Sequence, residues 1–221
     1  MMKIPLRSKF KKFTGEFIPD IVEYVIDYLK NNPNSTVSVG CDSIQSKRKT
    51  LYTITIMMYN GSIKNGAHVV FFRENHQKVR DNFERLQKEA EYVHNLGELL
   101  NEELSNIFSR MDLDIDERKR YKFHLLKCGG ELDNISQFDE NSYIKSVQLS
   151  DFEINQSFNL IDLHLDFNPS DGGTDRRGNQ KNKSYIAYKS FVPWLRGMGY
   201  RVFAKPMSYA STNAADILLK N

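Results

Sequence analysis

Apolar side chains fall along this chain in two alternating rhythms. Ile18, Ile21, Val22, Val25, Ile26 and Leu29 recur at steps of three and four, the stripe of a one-sided helix that stops near Asn31-Asn32-Pro33. The period then shortens. Thr36 to Gly40, Leu51 to Tyr59 and Ala67 to Phe72 are short runs rich in β-branched and aromatic residues, separated by polar or glycine-containing turns, and they predict a three-stranded antiparallel meander. From about Gln77 to Arg110 the helical step returns through Val79, Phe83, Leu86, Ala90, Val93, Leu100, Leu104 and Ile107, with Gly97 dividing it into one long helix or two in line. Leu160 to Phe167 alternates apolar and polar residues as a fourth strand does. Tyr185, Tyr188, Val192 and Leu195 mark a helix broken or restarted at Pro193, Tyr200 to Ala204 a short fifth strand, and Ala214 to Leu218 part of a final helix.

Three strands, then helix, strand, helix, strand and helix is an order with architectural consequences. Helical crossovers suit parallel pairing, so the later strands extend the meander into a mixed five-stranded sheet flanked by helices, an α/β fold. With 221 residues and 40% hydrophobic side chains, the chain can bury one good core. We read residues 18–221 as one domain, preceded by a basic arm over 1–17 and carrying an insertion at about 111–158, where neither period holds. The arm clusters Lys9, Lys11 and Lys12 with Phe10 and Phe13, a grouping to which the sequence assigns no site.

Composition narrows the setting. A formal net charge of +3 is too small to announce a nucleic-acid binder, so any electrostatic footprint must be local. The loop 168–183 is one such place, because Arg176, Arg177 and Lys181 stand there among glycines and could track a phosphate backbone. Cys41 and Cys128 are too few for a disulfide framework or a CxxC-type zinc site, which makes a reducing, cytoplasmic compartment the default. No run has the length and apolarity of a membrane span or the form of a secretory signal, and a soluble protein without a membrane partner is expected.

Acidic residues carry the chemistry. Asp42 falls where the first strand should end, Glu89 on the first crossover helix, Asp166 at the end of the fourth strand and Asp216 on the last helix. Four carboxylates brought together would repel, so a fold that converges them implies bound cations or raised pKa values. Hard oxygen ligands favour Mg2+ or Mn2+, and two ions, ~3.5–4 Å apart in enzymes of this type, would serve phosphodiester hydrolysis. Rivals exist on the same elements: Asp81, Glu84, Glu91 and Glu98 around the helix, and Asp162 on the strand. Ser43 reads either as a turn residue or as an aid to Asp42, His164 as a structural group or a contact to metal or phosphate, and Lys205 as a strand-end cation or a phosphate contact.

Gly40-Cys41-Asp42-Ser43, Arg85-Leu86 with Glu89, His164-Leu165-Asp166, and Lys205-Pro206 with Ala214-Ala215-Asp216 resemble, in that order, the YkuK-type ribonuclease H-like family. The resemblance covers roughly Ile18 to Arg110 and Leu160 to Asn221, and residues 111–158 have no counterpart in it. It implies a ribonuclease H-like fold in which Asp42 bridges two metal ions, Glu89 and Asp166 complete the leaving-group side, and Asp216 holds the nucleophile-side ion. A nuclease cutting RNA, RNA–DNA hybrid or structured DNA is the implied activity, with nucleic acid as partner. The competing expectation is a non-catalytic scaffold that uses the insertion and the arm to bind protein or nucleic acid.

Overall fold

In the computed structural model the described residues are 7–32, 35–60, 67–110, 161–173, 182, 184–215 and 218. Asp216, Arg176, Arg177, Lys181 and the expected insertion lie outside them. In chain order the elements are β1 (Lys11–Lys12), α1 (Ile21–Asn31), β2 (Ser35–Gln45), β3 (Lys49–Asn60), β4 (Ala67–Gln77), α2 (Asn82–Arg110), β5 (Ile161–Leu165), α3 (Ser184–Gly197) and β6 (Arg201–Phe203). A π-helical turn, Ala210–Ala215, follows.

All five expected strands form, and a sixth joins them. The sheet runs β1-β4-β3-β2-β5-β6, antiparallel from β1 to β2 and parallel through β2, β5 and β6, an open mixed sheet. The extra strand comes from the basic arm. Phe10 is fully buried there, edge-on to Phe72 with ring centroids 4.9 Å apart, which seats Lys11 and Lys12 against β4. Two residues in a lysine-rich run carry too little alternation to show a strand in the sequence.

Each face of the sheet has its own cover. Val39, Cys41, Ile54, Ile56, Leu163 and Leu165 point to the side of α1, α2 and α3 and form the core with Leu96 and Leu100. Asp20 starts α1 by accepting from Val22 N and Glu23 N at 2.8 and 3.2 Å. The region around Gly97 is not a break: α2 is one helix of 29 residues, and a Cβ at Gly97 would stand 2.6 Å from Leu163 Cδ2, so the missing side chain lets the helix lie close on β5. Pro193 does not break α3 either. It sits on the exposed side, where water can serve the carbonyl that loses an N–H partner.

Gly40, Thr55 and His164 form one cross-strand row on the opposite face, under the π-helical turn. A Cβ at Gly40 would meet Ala210 C and Ser211 N at 2.5 Å, so only glycine admits the turn at this distance. Thr55 Oγ1 donates to Ala210 O at 2.8 Å, while His164 Nδ1 accepts from Ala210 N at 3.1 Å. Among the described residues, no helix is long and apolar enough to cross a membrane.

Candidate active site

Asp42 lies within β2 rather than at its end. The strand continues to Gln45 because the β2–β3 hairpin keeps pairing beyond it, through polar residues that show no apolar alternation. What does end nearby is the parallel pairing. Cys41 and Leu165 are the last partners of β2 and β5, so Asp42 and Asp166 are the next residues on two adjacent strands. Below them the strands are almost wholly buried; at Asp42 and Asp166 the sheet opens to a polar cleft of about 360 Å³.

Consecutive strand residues face opposite sides, so Asp42 lies on the Gly40 face and Ser43 on the α2 face. Ser43 links the two. Its N–H donates to Asp42 Oδ1 at 2.7 Å and its hydroxyl to Glu89 Oε1 at 2.6 Å. Arg85, one turn before Glu89, donates through Nη1 to Ser43 Oγ at 2.7 Å and to Glu89 Oε1 at 3.0 Å, and through Nη2 to Asn82 Oδ1 at 2.9 Å. All donors reaching Glu89 thus gather on one oxygen. Oε2 is buried without a hydrogen-bond partner.

Glu89 is only 1% exposed, and burial pushes its carboxyl up to about 8. Arg85 and the Ser43 hydrogen bond oppose that rise, while the charges of Asp42 and Asp166 add to it. The Cys41 thiol is likewise driven well up, by burial first and then by Glu89 and Asp42. Asp166 meets Lys205 Nζ at 2.9 Å across the cleft. Asn182 and Ser184 line the same space, and Ser184 Oγ accepts from Asn168 N at 3.0 Å, tying the start of α3 to the segment after Asp166.

Three of the four expected acids, Asp42, Glu89 and Asp166, therefore line one cleft with Lys205. Asp216 lies outside the described residues, as do Arg176, Arg177 and Lys181. Among the described residues, no three His, Cys, Asp or Glu groups stand close enough to hold an ion as arranged, since Arg85 and Lys205 occupy the sides of Glu89 and Asp166. The donor set nonetheless fits a divalent cation: hard carboxylate oxygens from Asp42, Glu89 and Asp166, one of them buried without a hydrogen-bond partner.

Four of the five rival acids have other partners. Asp162 is clamped by Arg201, both buried, with Nε donating to Oδ1 at 3.0 Å and Nη2 to Oδ2. Asp81 Oδ1 accepts from Glu84 N at 2.8 Å, Glu84 faces Lys88, and Glu91 accepts from Gln87. His164 is a buried structural group, packed on Phe203 and holding the π-helical turn; burial lowers its pKa to about 4, so it is a neutral acceptor. Sequence reasoning passed over Arg85 and Asn82 as site residues. Their spacing before Glu89, four and seven positions, puts them on one helix face and was the available signal.

A family model described as Ribonuclease H-like matches residues 17–125. Over that span the chain is ribonuclease H-like. No curated protein and no solved structure matches it. The family match contains Asp42, Ser43, Arg85 and Glu89, and it also takes in residues 111–125, the first part of the expected insertion. Asp166 and Lys205 of this ribonuclease H-like chain lie beyond the matched span, and the parallel pairing of β5 with β2 is what carries them to the cleft.

Proposed function

We propose that this ribonuclease H-like chain is a divalent-metal-dependent nuclease that hydrolyses phosphodiester bonds of RNA, RNA–DNA hybrid or structured DNA. One observation carries the reading: Glu89 Oε2 is buried and unpartnered in a cleft that it shares with Asp42 and Asp166. Such an oxygen costs free energy unless a cation meets it. Asp42, Glu89 and Asp166 would hold the metal, with Asp216 as the fourth acid. Mg2+ or Mn2+, two ions in the proposed state, supplies Lewis acidity and neutralises charge on the phosphodiester.

The chain's own residues do the positioning. Ser43 fixes Asp42 through its N–H and Glu89 through its hydroxyl, so one dipeptide sets two carboxylates. Arg85 holds Glu89 Oε1, and Oε2 is left without a hydrogen-bond partner. Lys205, once released from Asp166, offers a cation to a phosphate oxygen. Nucleic acid is the proposed partner, the residues 111–158 a proposed protein-binding surface, and the cytoplasm the proposed setting, in keeping with Cys41 as a free buried thiol.

The test is cleavage of an RNA, hybrid and DNA panel by the purified chain with Mg2+ or Mn2+, repeated with Asp42→Asn and Asp166→Asn. Cleavage by the wild type and none by either variant is expected. No cleavage of any substrate, with no divalent binding by calorimetry, sinks the proposal. One observation favours a second reading, a non-catalytic scaffold: Glu89 and Asp166 are each already met by a protein cation. Divalent binding in the cleft separates the two, since a scaffold has no use for it.

A further inference from the structure

The edge of the sheet farthest from β6 carries a group of rings and cations that the proposed chemistry does not use. Lys11 is the direct partner of Phe71 on β4 and, on its other side, bridges to Phe17. Directly paired residues point to the same face. Phe17, Lys11, Phe71, Thr55 and Gly40 thus form a row across the sheet, on the face that also carries Asp42. Arg73, two residues beyond Phe71 on β4, stands in the next row of that face with Thr53 and Asp42.

Phe71 is the buried centre of this group, only 6% exposed. Lys11 Nζ stands 5.2 Å and Arg73 Cζ 5.6 Å from its ring centroid, and Phe13 leans on it at 5.7 Å. The outer rings are open: Phe13 is 56% exposed and Phe17 70%. Neither Lys11 nor Arg73 has a carboxylate partner among the described residues. Glu16, the acid of the same turn, is taken by Lys12 at 2.9 Å, and Glu74, beside Arg73 in sequence but on the other face, is met by Lys9. Two exposed aromatic rings are unfavourable in water, and beside two cations that no described carboxylate meets they complement an anionic chain that has flat apolar faces.

We infer that this patch is a platform for single-stranded nucleic acid, Lys11 and Arg73 meeting phosphates and Phe13 and Phe17 stacking on unpaired bases. A duplex keeps its bases stacked on one another and cannot use the rings, which selects the single strand. The register places Arg73 two strand spacings from Asp42, about 10 Å between Cα atoms, so one strand can lie on the platform and reach toward the cleft. The inference deepens the nuclease reading by naming its substrate class, and the binding it describes stands without cleavage.

The experiment is fluorescence anisotropy of labelled single-stranded DNA and RNA oligomers with the full chain carrying Asp42→Asn, in EDTA, across a salt series. Adding Lys11→Glu with Arg73→Glu should lower affinity at least about tenfold and reduce the slope of log affinity against log salt by about 1.4, the release expected for two phosphate contacts on a single strand. Adding Phe13→Ala with Phe17→Ala should lower affinity about tenfold with the slope unchanged. If the glutamate pair unfolds the chain, Lys11→Gln with Arg73→Gln should give the same direction. Unchanged affinity in the folded variants overturns the platform, as does equal binding of a duplex of the same sequence. A chain that binds but never cuts loses the nuclease reading and keeps the platform; one that cuts while these variants bind as before loses the platform alone.

Discussion

The Ser43 hydroxyl donates to Glu89 Oε1 at 2.6 Å, joining β2 to the crossover helix at the point where β5 leaves the sheet. Because Ser43 N also holds Asp42 Oδ1, and Arg85 Nη1 reaches both Ser43 Oγ and Glu89 Oε1, one serine sets the distance between two carboxylates on different elements.

Ser43→Ala removes that join. A hydrogen bond to a charged group contributes about 1.5–3 kcal/mol, and here Arg85 retains its bond to Glu89, so a loss near the lower end is expected in urea denaturation. Divalent affinity, read by calorimetry, should fall about tenfold or more, as for groups that orient metal ligands. Ser43→Thr, which keeps the hydroxyl, should recover most of both.

Divalent ions should stabilise the fold. A cation at 100 times its dissociation constant adds about 2.7 kcal/mol to unfolding. Mg2+ or Mn2+ should therefore raise the thermal midpoint of the wild type and, after EDTA, the rise should vanish. Asp42→Asn and Glu89→Gln should show little rise. An equal rise in all three chains would place the ion elsewhere.

Gly40→Ala should be among the most harmful single methyl additions in the sheet. Its Cβ would sit 2.5 Å from backbone atoms of Ala210 and Ser211, which cannot rotate away as a side chain can. A loss of about 1–3 kcal/mol or more is expected, with the Thr55 and His164 bonds to Ala210 weakened together. Chemical denaturation measures the first, and hydrogen exchange at the Ala210 amide the second.

His164 makes stability fall in mild acid. Its folded pKa, lowered to about 4 by burial, lies below the unfolded value near 6.5, so between those values the unfolded chain binds the proton more readily. The stabilisation is fully present above about pH 6.5 and is lost as the pH falls toward about 4. His164→Asn, an acceptor for Ala210 N that does not titrate, should flatten this limb of a stability-versus-pH curve. His164→Phe leaves the Ala210 N–H unmet and should cost about 1–3 kcal/mol at neutral pH.

Several assignments were legible before any tertiary structure. The stripe from Ile18 to Leu29 reports a helix buried on one side, and the meander and the run through Asp166 show the side-chain period and composition of strands. Gly97 left one helix or two open, and Pro193 read as a break, for a shared reason. Both weaken a helix locally, yet Gly97 is needed for the approach to Leu163, and Pro193 faces solvent. Arg85 stood in a resembling motif without a role of its own, because its partner Ser43 lies 42 positions earlier in the chain.

By itself the sequence determined the kinds of element, their order, the mixed sheet that order requires, and the acids that chemistry would need, since those depend on local spacing and side-chain type. Tertiary structure alone decided which acids share a space. Asp162 and Asp166 are four positions apart on one chain segment, but Arg201 neutralises the first inside the protein while the end of parallel pairing opens the second to the cleft. It also decided that Glu89 keeps one oxygen unmet, and that Lys11 and Arg73 meet around Phe71. Burial, and the distance between charges remote in sequence, are properties of packing, and no residue carries them on its own.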